Sequence, residues 1–340
     1  MSVRALVILL GLSFAFSAFV MNVAPPVNED SRLVEVLMAL GQPAPKHYLA
    51  QIDPVQVAIG YTLVHEGKAT SADGKTGSYI STIFVCTDCH NQVKEDPNPA
   101  SPNPEARMSY AIANNLPFLQ ATTFWGMVNR ESWYNDDYII KYGEWIAPAK
   151  ESLYESTQLC ARECSSGRTL EAWEAEAINH YYWSLELHLR DLGLKQDEYQ
   201  RLNKALASDD ADAKASARGM LKSKYMVASP ADFVDPPSDR RLGMSNEYTG
   251  DAERGAEIFN RSCMQCHRYG GPSLFVMDDS KKTKKLFAKH IARQTPFALY
   301  DIVRYGTHAE PGHRQYMPLY TLDRMSHQQL EDLRVFMTTW

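Results

Sequence analysis

The sequence predicts a mostly α-helical protein built from two tandem domains with long loops. Apolar residues recur at helical spacing near both ends of the chain, and stretches rich in Gly, Pro, Asn and Ser separate these patterns. The order of a helix, a Cys-x-x-Cys-His motif, loops and a closing helix occurs twice. The chain has 340 residues, of which 44% are hydrophobic and 22% charged, which suffices for two ordinary globular domains.

The first residues form an apolar segment that stands apart from these domains. Residues 5–23 are mostly apolar, follow one basic residue, Arg4, and precede two prolines. The segment is long enough to span a bilayer, and its small-residue cleavage pattern is poor. We therefore expect residues 1–24 to be a signal peptide or an inner-membrane anchor. The rest of the chain is then expected on the periplasmic side.

The first domain is predicted at residues 25–194. Apolar residues at helical spacing predict a helix from Asp53 to Glu66, followed by a loop from Gly67 to Ser81. A second helix is expected from Thr169, because large apolar side chains recur about one turn apart after it: Trp173, Ala177, Tyr181 and Leu185.

A connector is predicted at residues 195–245 and the second domain at 246–340. Lys195 to Met226 has a polar, Ala-rich helical pattern that ends before three prolines, and a solvated helix belonging to the first domain is the alternative interpretation. The second domain begins with a helix from Ala252 to Asn260. Its closing helix starts at Ser326, which forms a capping box with Gln329.

The six cysteines fall into three close pairs, which indicates cofactor chemistry rather than a disulfide scaffold. Cys-x-x-Cys-His is the attachment signature of c-type haem, because two thiols at this spacing reach both vinyl carbons and the adjacent histidine binds the iron. A redox-active pair or half of a zinc site would leave the twice-repeated histidine unexplained. We therefore expect two covalently attached haem c groups, one on Cys86, Cys89 and His90, and one on Cys263, Cys266 and His267.

The second domain resembles class I cytochrome c. Gly255 and Phe259 lie where the first helix of that fold crosses its closing helix, which offers Leu333 and Phe336. The resemblance implies that Met317, which precedes a proline and the closing helix, is the sixth iron ligand. A thioether ligand raises the reduction potential. Met325 is the competing sulfur, but it adjoins the helix cap.

The first domain has no Met-Pro pair, so its sixth ligand is sought by position. Met317 lies nine residues before Ser326, which caps the closing helix. Nine residues before Thr169, the expected start of the equivalent helix, is Cys160. A cysteine therefore occupies the position that corresponds to the methionine ligand.

Residues 151–187 resemble the haem domain shared by thiosulfate dehydrogenases and the cytochrome subunit of the sulfur-oxidising multienzyme system. In that pattern a ligand cysteine is followed seven residues later by Gly and a basic residue, and then by a helix ending in aromatic residues. The matching residues are Cys160, Gly167, Arg168, Tyr181, Tyr182 and Trp183. The resemblance implies that Cys160 is a thiolate ligand of the first haem and that a small sulfur anion reacts there.

Cys164 departs from this pattern, which often has serine four residues after the ligand. Cys160 and Cys164 could form a disulfide in an oxidising compartment, which would remove the thiolate, although this spacing in a regular helix is geometrically poor. Met127 or Met108 would then be the sixth ligand, with a core position as the alternative for Met127. All of these assignments stay open at the level of sequence.

The expected function is electron transfer between redox partner proteins. A thiolate-ligated first haem would have a lower potential than a His/Met second haem, so electrons would pass from the first domain to the second. One alternative is thiosulfate dehydrogenase-like oxidation of a sulfur anion, and another is a haem subunit of a membrane respiratory complex. Three arginines could attract an anion or pair with haem propionates: Arg130, Arg162 and Arg168. The net charge of -6 argues against a nucleic-acid partner.

Overall fold

The computed structural model describes residues 26–291, 293–307 and 317–339, and this part of the chain is helical. Only isolated bridges, and no strands, occur among these residues, so the mostly-α prediction is confirmed. The predicted signal or anchor at residues 1–24 lies outside them. None of the helices described has the length and apolar character needed to cross a membrane.

Fourteen α-helices follow one another in the described part of the chain. Those before residue 190 are α1 Leu33–Ala39, α2 Pro54–Glu66, α3 Pro104–Ala113, α4 Ile139–Tyr142, α5 Ile146–Lys150, α6 Leu153–Leu159 and α7 Ala172–Trp183. The others are α8 Gln196–Leu206, α9 Ala211–Lys222, α10 Ala252–Arg261, α11 Cys263–His267, α12 Lys281–Ile291, α13 Leu299–Tyr305 and α14 His327–Thr339.

Helix α2 confirms the prediction for Asp53 to Glu66. The Asp53 carboxylate accepts a hydrogen bond of 2.8 Å from the Val55 amide, and Gly67 ends the helix with a φ of +76°. The helix crosses α7 at Gly60, where an added Cβ would overlap the carbonyl oxygen of Ala177. This close crossing is the centre of the first domain's core.

Helix α7 begins at Ala172, three residues later than the expected start at Thr169. Its N-cap is Glu171, whose amide donates to the Glu174 carboxylate at 2.8 Å. Arg168 also donates to this buried carboxylate, at 2.6 and 2.7 Å. The Glu174 carboxylate, three residues after the N-cap Glu171, therefore caps the helix, and the Thr169 hydroxyl does not.

This shift changes the positional comparison that selected Cys160. Met317 lies ten residues before His327, the first residue of α14, and Arg162 lies ten residues before Ala172. Arg162 is midway between Cys160 and Cys164. Position along the chain therefore does not choose between the two cysteines.

The second domain repeats the helix crossing with α10 and α14, as predicted. A Cβ on Gly255 would overlap the carbonyl oxygen of Asp332, and the rings of Phe259 and Phe336 lie 5.3 Å apart. The capping box is also confirmed, since Ser326 and Gln329 exchange hydrogen bonds of 2.9 and 3.0 Å.

Helices α8 and α9 confirm the helical pattern of Lys195 to Met226. Their buried residues Leu202 and Leu221 pack with α1 and with Leu187. Asp210 separates the two helices by capping α9. The segment predicted as a connector therefore covers the first domain before the chain leads to the second.

Helix α3 belongs to the first domain by position but packs with the second. Met108 and Phe118 share a hydrophobic cluster with Ile258 and Tyr300. The apolar face of α3 thus lies against helices that follow it by more than a hundred residues. This packing holds together the two parts of the chain that carry the Cys-x-x-Cys-His motifs.

Candidate functional site

The first Cys-x-x-Cys-His motif lines a large cavity, which we call the first cavity. Cys86–Asp88 forms a short 3-10 turn, held by the Asp88 carboxylate accepting from the Val85 amide at 2.8 Å. The space between its walls is about 1390 Å³, part of which is open solvent. Its apolar and aromatic lining includes Leu63, Ile80, Phe84, Phe124, Trp133, Leu170, Ile178 and Tyr182. A large, flat apolar cofactor fits such a lining.

His90 is oriented for metal binding. Its Nδ1 lies 2.6 Å from the carbonyl oxygen of Thr122, so the proton resides on Nδ1 and the lone pair on Nε2. The ring of Phe124 stacks on the imidazole at 4.3 Å. Burial lowers the pKa of His90 to about 4, which keeps the imidazole neutral. A neutral, fixed imidazole is the form that ligates haem iron.

Cys160 and Cys164 both face the first cavity. They bound a π-helical turn, in which the Ser165 amide donates to the Cys160 carbonyl at 2.9 Å. Both are free thiols, and their side chains hydrogen-bond to each other. The structure therefore brings the predicted ligand Cys160 to the cavity of His90, together with a second sulfur donor.

The surroundings favour the thiolate on Cys164. The hydroxyls of Tyr142 and Tyr134 lie 3.2 and 3.8 Å from its sulfur, and burial raises the pKa of both tyrosines, so they donate. The hydrogen bond from Cys160 and those from the tyrosines lower the pKa of Cys164. The same bond between the thiols, together with burial, raises the pKa of Cys160. The sequence pattern gave no sign of this tyrosine pair.

The two alternative methionines lie in different places. Met127 is buried and lines the first cavity, where it also packs in the first domain's core. Met108 packs in the second domain's core with Phe118 and does not line the cavity. Met127 is therefore the one of the two that faces the first motif.

Only one of the three arginines considered from sequence lines the first cavity. Arg162 pairs with Glu163 at 2.8 Å and lies 4.2 Å over the ring of Trp145. Arg168 binds Glu174 beside the start of α7. Arg130 is buried in the cavity wall.

The second Cys-x-x-Cys-His motif forms the short helix α11 and repeats the orientation of its histidine. The Nδ1 of His267 lies 2.7 Å from the carbonyl oxygen of Phe275, and burial lowers the pKa of the imidazole. Next to it, Leu274 is 93% exposed and Tyr269 is 77% exposed. Exposed apolar side chains beside an oriented histidine mark a surface where an apolar group can bind.

Met317 lies partly buried at the start of the last described segment. The Thr307 amide donates to its carbonyl oxygen at 3.3 Å. The preceding Tyr316 lies outside the described residues. Met325, the competing sulfur, is buried in the second domain's core with Leu330 and Leu333. Met325 is therefore a core side chain, and Met317 is the methionine of the two that is not committed to the core.

The two motifs lie close enough for their side chains to interact electrostatically. Burial and the charge of Asp88 raise the pKa of Cys266 to about 11, and burial and Cys266 raise the pKa of Cys89. Arg268 in turn opposes the effect of burial on the pKa of Asp88. Side chains of the second domain also line the first cavity: Pro318, Leu319, Thr321, Asp323 and Arg324. No local sequence signal predicts this proximity, which depends on the packing of α3 against residues far along the chain.

Residues 250–337 match the family described as cytochrome C oxidase, cbb3-type, subunit III. The match covers about a quarter of the chain, including the second Cys-x-x-Cys-His motif and Met317. No curated protein and no solved structure matches the chain significantly. Residues 250–337 are therefore a cytochrome c domain, which implies covalently bound haem and electron transfer.

Proposed function

We propose that the chain carries two covalently bound haem c groups and transfers electrons between redox partner proteins on the periplasmic side of the membrane. The observation that carries the proposal is the proximity of two equivalent motifs, each with its histidine Nδ1 fixed on a backbone carbonyl. Haem iron supplies one-electron chemistry by alternating between its ferric and ferrous states. Residues 5–23 are proposed as the signal or membrane anchor that delivers the chain there.

The protein's side chains hold and tune the two groups. Cys86 and Cys89, like Cys263 and Cys266, would fix each porphyrin covalently, while the histidines supply the proximal imidazoles. A thiolate in the first cavity would favour ferric iron, and Met317 would favour ferrous iron at the second site. Electrons are therefore proposed to run from the first domain to the second.

Intramolecular transfer is tested by rapid photoreduction of the oxidised full-length holoprotein with fewer electrons than haems. The absorbance changes of the two haems are followed after the flash at several protein concentrations. We expect redistribution between them at a rate that does not depend on protein concentration. A rate proportional to concentration would mean that electrons pass between molecules, against the proposal.

A second candidate function is oxidation of a small sulfur anion at the first cavity. It is favoured by the presence, in one cavity, of two thiols and the buried cation of Arg130. The test is stopped-flow mixing of oxidised holoprotein with thiosulfate, using Cys160→Ala and Cys164→Ala as comparisons. Rapid haem reduction that a cysteine substitution abolishes supports the enzyme. Reduction by dithionite but not by thiosulfate leaves a two-haem electron carrier.

A third candidate, a haem subunit of a membrane respiratory complex, is favoured by the family that residues 250–337 match. The test is affinity purification of the tagged chain from detergent-solubilised membranes. Stoichiometric co-purification of membrane subunits supports the complex. Recovery of the chain alone at the same detergent concentration contradicts it.

A further inference from the structure

The wall of the first cavity contains two buried arginines. Arg130 is 7% exposed and Arg324 is 4% exposed, and both side chains line the cavity. A guanidinium stays charged near neutral pH, so each needs an anionic partner to offset the loss of its hydration. The hydrogen-bond and ion-pair partners of each arginine therefore show whether a further anion can bind there.

Arg130 has no ion-pair partner among residues 26–291, 293–307 and 317–339. Its Nη1 donates to the Thr122 hydroxyl at 3.1 Å. The negative charge of Glu95 raises the pKa of Arg130, and the positive charge of Arg324 lowers it. Burial lowers the pKa of Arg130 to about 10, which still leaves it cationic. The Thr122 hydroxyl is the partner of one of its N–H groups, and the guanidinium lines the cavity, so its other N–H groups can donate to an acceptor there.

Arg324 is satisfied only in part. Its Nη1 forms an ion pair with Glu95 at 2.8 Å, and its Nη2 donates to the carbonyls of Leu119 and Ala121 at 2.9 and 2.7 Å. Its Nε is buried without a hydrogen-bond partner. One donor of this guanidinium is therefore available for a further acceptor.

The same two arginines line a smaller pocket of about 500 Å³, which we call the side pocket. Lys94 adds a third basic side chain there, while Glu95 and Asp96 are its acidic residues. Tyr225 also lines it, with a buried hydroxyl that has no hydrogen-bond partner. The Arg324 Nε and the Tyr225 hydroxyl are thus free to bind an acceptor between the first cavity and the side pocket.

We infer that Arg130 and Arg324 form an anion-binding site in the wall between the first cavity and the side pocket, which takes a carboxylate or another oxyanion. The inference rests on the proposed function, because the anion has two possible sources. It is a propionate of the haem in the first cavity, or a free oxyanion that enters through the side pocket. Both present oxygen atoms that a guanidinium binds in the same way.

This site would tie the first haem to the second domain. Arg324 follows Met317 by seven residues and belongs to the segment that leads into α14. Arg130 is linked to His90 through Thr122, whose hydroxyl accepts from Arg130 and whose carbonyl binds Nδ1. Positive charge at this place favours ferrous over ferric iron, so it raises the first haem's potential.

The test compares Arg130→Gln and Arg130→Lys in the full-length holoprotein with Arg190→Gln, which removes a surface charge paired with Asp30. Mass spectrometry first confirms an unchanged number of haems, so failure of the proposed function is recognised separately. At a fixed potential we expect Arg130→Gln to lower the ferrous-to-ferric ratio of the first haem at least tenfold, which is about 59 mV for one electron. Arg130→Lys should recover most of this, and Arg190→Gln should match the parent chain.

The source of the anion is identified by titrating each oxidised holoprotein with sulfate and thiosulfate at constant ionic strength. Saturable changes in the first haem's spectrum that Arg130→Gln abolishes assign a free oxyanion. A potential shift in Arg130→Gln without any saturable anion effect assigns a propionate. Unchanged potentials in Arg130→Gln, together with no anion effect in the parent chain, overturn the inference.

Discussion

The carboxylate of Glu95 lies 2.8 Å from Nη1 of Arg324, and both side chains are buried. This ion pair joins the loop after the first Cys-x-x-Cys-His motif to the segment that precedes α14. Arg107 strengthens the junction, because its guanidinium donates to the carbonyl of Arg324 and lies over the ring of Phe118. These contacts therefore hold the segment after the first Cys-x-x-Cys-His motif against the segment that precedes α14.

The low pKa of Glu95 should make the unfolding free energy of the protein depend on pH in the acid range. Burial raises its pKa, but the charges of Arg324 and Arg107 outweigh this and lower the value from 4.5 to about 2. The stabilisation is complete above pH 4.5 and is lost as the pH falls towards 2. The shift corresponds to a loss of about 3 kcal/mol of unfolding free energy, measured by urea unfolding of the holoprotein across this range.

Glu95→Gln is the matching variant. We expect it to unfold about 3 kcal/mol more easily near neutral pH, because Arg324 keeps its buried charge without a partner. Its unfolding free energy should also fall less between pH 4.5 and 2 than that of the parent chain. Parallel pH profiles for the two proteins would show that another group controls the acid transition.

Each Cys-x-x-Cys-His motif should account for one haem. Cys86→Ser with Cys89→Ser should reduce covalent haem from two per chain to one, and Cys263→Ser with Cys266→Ser should do the same. The measurement is intact mass spectrometry with quantification of haem. The matched control is Cys160→Ser with Cys164→Ser, which should keep both haems. One haem in the parent chain would contradict the proposed stoichiometry.

Met317→Leu should lower the potential of the second haem and abolish the absorption band between methionine sulfur and iron, because the thioether that favours ferrous iron is gone. Optical redox titration measures both. Met325→Leu is the control: its side chain is buried in the core, so the spectrum should stay unchanged and stability should fall by less than about 1.5 kcal/mol. Loss of the band in Met325→Leu instead would make Met325 the ligand.

Cys164→Ser should perturb the first haem more than Cys160→Ser. The hydrogen bonds from Cys160, Tyr142 and Tyr134 favour the thiolate on Cys164, so its loss should abolish the low-spin thiolate signal in electron paramagnetic resonance. Cys160→Ser should keep that signal with a modest shift. The opposite pattern would make Cys160 the ligand, as the family resemblance implies.

Gly255→Ala should destabilise the protein by about 1–3 kcal/mol, because the added methyl group overlaps the Asp332 carbonyl at the crossing of α10 and α14. Gly219→Ala is the control within α9, where an added Cβ has no atom within 4 Å. It should stabilise the protein by up to about 1 kcal/mol. Chemical unfolding measures the unfolding free energy of both variants. Equal changes in the two variants would contradict the close crossing of α10 and α14.

Much of this arrangement could be predicted from local sequence. The Cys-x-x-Cys-His motifs, the Asp53 and Ser326 caps and the helix pattern around Gly255 each depend on residues a few positions apart. The predicted start of α7 was wrong by three residues. The Glu174 carboxylate accepts the hydrogen bond of the Glu171 amide, so the helix is capped without the Thr169 hydroxyl.

The remaining features depend on contacts between distant parts of the chain. Helix α3 packs into the second domain, and Arg324 reaches the first cavity across more than two hundred residues. Tyr142 approaches Cys164 through the short helices between them. No sequence period or spacing encodes such contacts. The buried arginines Arg130 and Arg324 and the tyrosines beside Cys164 are therefore found only in the folded structure.

We propose above all that one chain carries two haems of different reduction potential. A potentiometric titration of the full-length holoprotein, followed by absorbance, tests it most directly. We expect two electrons per chain in two one-electron steps, with the Met317-ligated haem reduced at the higher potential. A single step that takes up one electron per chain would contradict it.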